Sequence, residues 1–167
     1  MKLDHAIDTA IDAEQSLADT LQKLAGRHAA EHDIYQLGHA QAQKATARAR
    51  TLADFAERYG ATAPKGADLD PDPVPASGLV DTVRRETSDL LGRSKSTGLL
   101  LLRDLQDAYL DAQRAEIAWT VLLQGARACR DLELVETVTS VHEECEVAAK
   151  WLRTRIKVAA PQILVTG

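Results

Sequence analysis

Four long stretches of this chain space their apolar residues as an α-helix does, at about 100° per residue, and no window alternates with period two for long enough to make a strand. Helices with one apolar stripe must bury it on one another, so the chain is confined to all-α packing. The first stretch, residues 3–25, lines up Leu3, Ile7, Ala10, Leu17, Leu21 and Leu24, and Glu14 projects onto the middle of that stripe. A later stretch lines up Leu102, Leu105, Tyr109, Thr120 and Leu123, with Gln113 and Glu116 on the same line. A carboxylate facing a core is costly unless it is paired, protonated or bound to a cation. These two acids therefore demand compensation from whatever packs against them.

The punctuation of the chain sets the order of the helices. Gly26 to His32 separates the first helix from the second, with Asp33 and Gln36 as a capping pair. Residues 33–59 are predicted as one helix on a stripe of Ile34, Leu37, Gln41, Ala45, Arg48, Leu52, Phe55 and Tyr59, stopped by Gly60. Residues 60–77 hold four of the five prolines and read as a loop. A short helix is expected over 79–92. Ser94, Ser96 or Thr97 then caps a third long helix that reaches Cys129. The fourth runs from Leu132 to Val158 on Val135, Val138, His142, Cys145, Ala149, Leu152 and Ile156. Pro161 is expected to end it, leaving an apolar tail from Gln162 to dock on the bundle. Two short links and one long one make helices 1–2 and 3–4 antiparallel hairpins, with residues 60–95 crossing from end to end. Residues 1–167 read as a single domain with one core.

Heights along such a bundle are counted from the hairpin turns, near Ala29 and Arg130. Glu14 lies 15 residues before the first turn, Gln41 lies 12 after it and Lys44 lies 15 after it. Glu116 lies 14 residues before the second turn, His142 lies 12 after it and Cys145 lies 15 after it. Glu14, Gln41, Lys44, Glu116, His142 and Cys145 are thus expected in one buried polar layer. Each hairpin supplies a glutamate from its first helix and an i,i+3 polar pair from its second. Di-iron carboxylate bundles place a glutamate on each of two helices and Glu-x-x-His on each of the other two.

On Asp12-Ala13-Glu14-Gln15, Gln113-Arg114-Ala115-Glu116-Ile117-Ala118-Trp119 and Val141-His142-Glu143-Glu144, the chain resembles the ferritin-like superfamily. More narrowly, it is similar to the small bacterial ferritin-like proteins associated with stress responses. The resemblance implies a ferritin-like antiparallel four-helix bundle with a long crossover, dimerisation and a two-metal centre. The second-helix positions depart from that pattern. Gln41-Ala42-Gln43-Lys44 and His142-Glu143-Glu144-Cys145 stand where the family has Glu-x-x-His. The candidate metal ligands narrow to Glu14, Glu116 and His142. With Lys44 opposite Glu14, Arg48 directed inward and His142 opposite Glu116, the layer is expected to be a near-neutral remnant of a metal site, with no cofactor. The expected function is non-enzymatic, a structural or interaction role, with a link to stress implied by the resemblance alone. The alternative is a mono- or di-metal oxidase, peroxide scavenger or metal-binding protein holding iron or manganese.

Composition narrows the partners. A net charge of −5 lacks the basic footprint of a nucleic-acid binder. No segment approaches the ~20 apolar residues of a membrane span, and Met1 to His5 lacks a signal-peptide core. A cytoplasmic homodimer with neither nucleic-acid nor membrane partner is expected. Aromatics make up only 4% of a chain rich in alanine, which favours close helix approach. Tyr59, Trp119, Trp151 and the tail are the expected self-association contacts. Cys129 and Cys145 are expected ~20 Å apart, beyond the reach of a disulfide. The ridge of Asp4, Asp8 and Asp12 is expected in solvent, as are His39 and the turn cluster His28, Glu31 and His32. Asp68, Asp70 and Asp72 mimic the start of a calcium loop, but Pro73 and Leu79 take the glycine and glutamate positions it needs. Arg84-Arg85 and Arg153, Arg155 and Lys157 are expected on helix surfaces.

Overall fold

A computed structural model of the protein describes residues 2–62 and 90–165, with the backbone alone for 90–96. These residues form α1 (Leu3–Arg27), α2 (His32–Arg50), α3 (Ala53–Tyr59), α4 (Leu90–Cys129) and α5 (Leu132–Val165), and no strand. Among them, no helix is long and apolar enough to cross a membrane. Most of the loop expected over 60–77, most of the short helix expected over 79–92, the Asp68–Asp72 string and Arg84-Arg85 lie outside the described residues.

In α1 every residue of the expected stripe is buried, Glu14 included. This helix packs against α2 and α4, and α4 packs against α5. The side chains that meet fix the directions. Gly38 of α2 lies so close to α1 that a Cβ there would stand 3.0 Å from the Cβ of Ala25, and further along α2 Arg48 meets Glu14. The two helices are antiparallel. Arg27 meets Asp104, Thr20 meets Asp111 and Glu14 meets Trp119, so α4 also runs against α1. His142 meets Thr120, Arg153 meets Tyr109 and Ile163 abuts Gly98, which makes α4 and α5 a second antiparallel hairpin. It follows that α2 and α4 run parallel. The helices share a core that includes Ile7, Leu21, Ile34, Leu105, Trp119 and Leu152.

Four boundaries differ from the sequence reading. First, α2 begins at His32 behind Glu31, with no side-chain cap, so Asp33 and Gln36 are not a capping pair. Second, the expected 33–59 helix is interrupted after Arg50 by a turn at Thr51 and Leu52. Thr51 Oγ1 donates to the Arg48 carbonyl at 2.7 Å, and the Thr51 and Leu52 amides reach back three residues, tightening the turn. Gly60 then closes α3 with φ of 73°, the left-handed cap expected of it. Third, α4 begins by Leu90, so Ser94, Ser96 and Thr97 lie inside it and do not cap it. Fourth, α5 runs through Pro161 to Val165, so the tail is helical. A proline there forfeits the bond to the carbonyl four residues back. Packing of Ile163 against Gly98 couples this extension to the early turns of α4, which explains why both helices outrun their local signals; a Cβ on Gly98 would stand 3.2 Å from Ile163.

The far end is tied by α3 and the α4–α5 turn. Tyr59 donates to Asp131 Oδ2 at 2.6 Å, and Asp131 Oδ1 caps α5 by accepting the Leu134 amide at 3.1 Å. The hydrogen bond to Asp131, aided by burial, pushes the Tyr59 phenol up to about 12. The same bond, with the Leu134 amide, holds Asp131 below the usual carboxylate range. The signs follow from linkage. The Tyr59 contribution is complete below the unfolded tyrosine value of about 10 and fades as pH rises through the folded one. The Asp131 contribution is complete above about 4 and fades as pH falls through its lowered value. In an absorbance titration, one of the three tyrosines should therefore lag behind the others, and Tyr59→Phe should remove the lagging component. An unchanged curve in that variant would contradict the contact.

Candidate functional site

The buried polar centre is built around Glu14, which is 0% exposed in the middle of α1. Arg48, one turn past Lys44 on α2, binds it with both arms: Nε donates to Oε1 and Nη2 to Oε2, each at 2.8 Å. Trp119 Nε1 of α4 donates to Oε1 at 2.7 Å, and Cys145 Sγ of α5 donates to it at 3.3 Å. All four long helices thus meet on one carboxylate. Arg48 is itself buried, and its Nη1 finds no acceptor. Burial works to lower the Arg48 pKa, but the hydrogen bond and charge of Glu14, with Glu144 adding, outweigh it and leave the value raised. The guanidinium stays charged, and the centre is a neutral ion pair. Burial pushes the Cys145 thiol up, the Glu14 charge adds to this and Arg48 opposes it. Cys145 therefore serves as an S–H donor and has little thiolate character.

The expected layer is only partly assembled. Glu14 and Cys145 come together, and Gln41 is buried on α2. Lys44 is exposed and does not face Glu14. Glu116 is half-buried, with Oε2 accepting from Gln113 Nε2 at 2.7 Å. His142 is also half-buried. It bonds Thr120 at 3.0 Å and approaches Glu146 at 4.0 Å, so it does not pair with Glu116. The cause is a rotation of α4. Its buried line is Leu105, Ala108, Ala112, Ala115, Trp119, Leu122 and Ala126, roughly a quarter turn from the predicted stripe. Trp119 takes the inward place assigned to Glu116, and it is therefore not a self-association contact.

Glu14, Glu116 and His142 do not form a metal site in this arrangement. Both oxygens of Glu14 are occupied by protein donors, and a resident cation already neutralises it. Among the described residues, no group of three or more His, Cys, Asp or Glu side chains is placed to hold a metal ion. The described residues do not fit the two-metal centre that the sequence resemblance implies.

A second buried polar contact was not legible in the sequence. His28, expected at an exposed turn, is buried with Nε2 2.9 Å from Asp104 Oδ2, and Arg27 reaches Asp104 Oδ1 at 3.2 Å. This contact pins the α1–α2 turn to α4. Its neighbours Glu31 and His32 are exposed as expected, whereas His39 is half-buried with its ring edge against Tyr35. Asp8 and Asp12 line a surface cavity of about 360 Å³ with His5 and Gln15, and Asp8 accepts the Thr62 amide at 2.7 Å. Arg153 lies over the Tyr109 ring, and Arg155 reaches Asp33 at 3.4 Å. Cys129 and Cys145 are not joined by a disulfide. No protein-family model, curated protein or solved structure matches the chain.

Proposed function

We propose that this chain is a ferritin-like bundle that has exchanged its metal layer for an internal ion pair, and that it acts as a non-enzymatic structural or interaction protein that pairs with itself. Two antiparallel helical hairpins whose consecutive members α2 and α4 run parallel support the ferritin-like part of the reading. The α3 end lies by the α4–α5 turn, and the start of α4 lies at the opposite end beside Ile163. The described ends on either side of residues 63–89 thus lie at opposite ends of the bundle, which supports a reading with one long crossover. The observation that carries the functional part is the two-armed bond of Arg48 to Glu14. It supplies from the protein the charge that a metal ion would bring. The role in stress physiology rests on the sequence resemblance alone.

Elemental analysis of the purified protein tests this reading. Iron and manganese are expected well below one per chain, and a chelator should leave the melting temperature unmoved. Metal that binds only the folded state would instead stabilise it by mass action, by about 2.7 kcal/mol at a hundredfold excess over Kd. Near-stoichiometric metal lost on Glu14→Gln would overturn the proposal in favour of a metal-dependent oxidase or metal-binding protein.

A further inference from the structure

We infer that the outer face of α4 is the surface on which two copies of this chain pair, antiparallel, about a two-fold axis beside Leu110. The inference rests on the self-association proposed above and assigns it a face. Leu99, Leu110, Ile117 and Val121 are 54%, 62%, 65% and 57% exposed. At about 100° per residue they fall on one line, opposite the buried line of Leu105, Ala112 and Trp119. Large aliphatic side chains aligned over ~33 Å of one helix are more than scattered surface residues.

The spacing selects the occupant. Leu99, Leu110 and Val121 recur every eleven residues, three turns of a nearly straight helix. The pattern is symmetric about Leu110. A two-fold axis there sets Leu110 against its own copy and Leu99 against Val121 of the second copy. A two-fold pairing requires one patch to complement itself in this way. It also brings the aliphatic stem of Arg103 over Ile117 of the second copy. The flanking charges agree. Asp107 and Arg114 lie on the same side of the stripe, and reversal of the helix brings Arg114 to within about one residue's rise of Asp107 of the second copy, twice by symmetry. Both are exposed and, among the described residues, pair with near neighbours on their own helix, Arg103 and Asp111. A single pair of helix faces is small beside the ~1,200–2,000 Å² of a standard interface, so the dimer should dissociate reversibly on dilution.

Sedimentation across the micromolar range should show a monomer–dimer equilibrium. Leu110→Glu sets two carboxylates against each other at the axis. It should weaken the dimer by about tenfold or more, with the helical circular dichroism and melting temperature of the monomer unchanged. Leu37→Glu, at an exposed site on α2 away from this face, should leave the equilibrium where it is. Spin labels on Leu110→Cys in a Cys129→Ser background should lie close together in the dimer. Labels on Val121→Cys should sit ~33 Å apart along the helix axis, because each lies eleven residues from the axis on opposite sides. A monomer at all concentrations would overturn the self-association reading and this face with it. A dimer that Leu110→Glu leaves intact would overturn the face alone.

Discussion

Arg48→Met should cost the fold about 3–5 kcal/mol, because it strands the Glu14 carboxylate in the core without its cation. That is a large share of a typical stability of about 5–15 kcal/mol. Trp119 and Cys145 would still donate to Oε1, but Oε2 has only Arg48 Nη2. A double variant, Glu14→Leu with Arg48→Met, should recover much of the loss, since the charge and the unpaired Arg48 Nη1 leave together. The coupling between the two substitutions should reach the upper part of the 0.5–3 kcal/mol range found for contacting residues. Lys44→Met is the control. An exposed lysine one turn away should tolerate the change within about 0.5 kcal/mol. Denaturant unfolding of the four proteins decides the matter. If Arg48→Met does not fold, the double variant still reports, because its recovery is the expected outcome. A loss for Lys44→Met as large as that for Arg48→Met would show that the register of α2 is wrong.

The two hairpins differ in how much of them could be read from sequence, and the reason lies in the chemistry of their core faces. In α1 the buried line is made of leucine and isoleucine, whose hydropathy is strong enough to fix the helix rotation, and Glu14 stands out against it. In α4 the buried line between Leu105 and Leu122 is mostly alanine. Alanine is small and only weakly apolar, so the larger, half-buried Tyr109 drew the expected stripe toward itself and carried Glu116 inward with it. The heights held only in part. Glu14, Cys145 and the turn of α4 that holds Glu116 and Trp119 do meet, but the α1–α2 register differs from a count centred on Ala29. Gly38 abuts Ala25, so Arg48 and not Lys44 comes level with Glu14. The helix ends failed for a related reason. Ser94 and Pro161 are local stop signals, and contact between Gly98 and Ile163, 65 residues apart in sequence, overrides them.

Trp119→Ala is the second substitution expected to be severe. Trp119 is 0% exposed and is among the largest fully buried side chains of the protein. Truncating such a residue removes its apolar burial and leaves a cavity, together worth about 3–5 kcal/mol. The neighbouring alanines, Ala112, Ala115 and Ala118, are too short to fill the gap. Trp119→Phe separates this packing from the hydrogen bond. Phenylalanine keeps most of the volume but leaves Glu14 Oε1 with Arg48 Nε and Cys145 Sγ as its remaining donors. Because the oxygen is still paired, the loss should fall near the lower end of the 1–3 kcal/mol range for a broken buried bond. Combining Trp119→Phe with Arg48→Met should then cost more than the sum of the two, as each removes a donor on which the other leaves Glu14 dependent. Fluorescence gives an independent check, since the chain has two tryptophans and Trp151 is half-buried. Loss of Trp119 should remove the blue-shifted part of the emission. A cost for Trp119→Phe equal to that for Trp119→Ala would mean that the bond to Glu14, and not the packing, holds α4 in its rotated position.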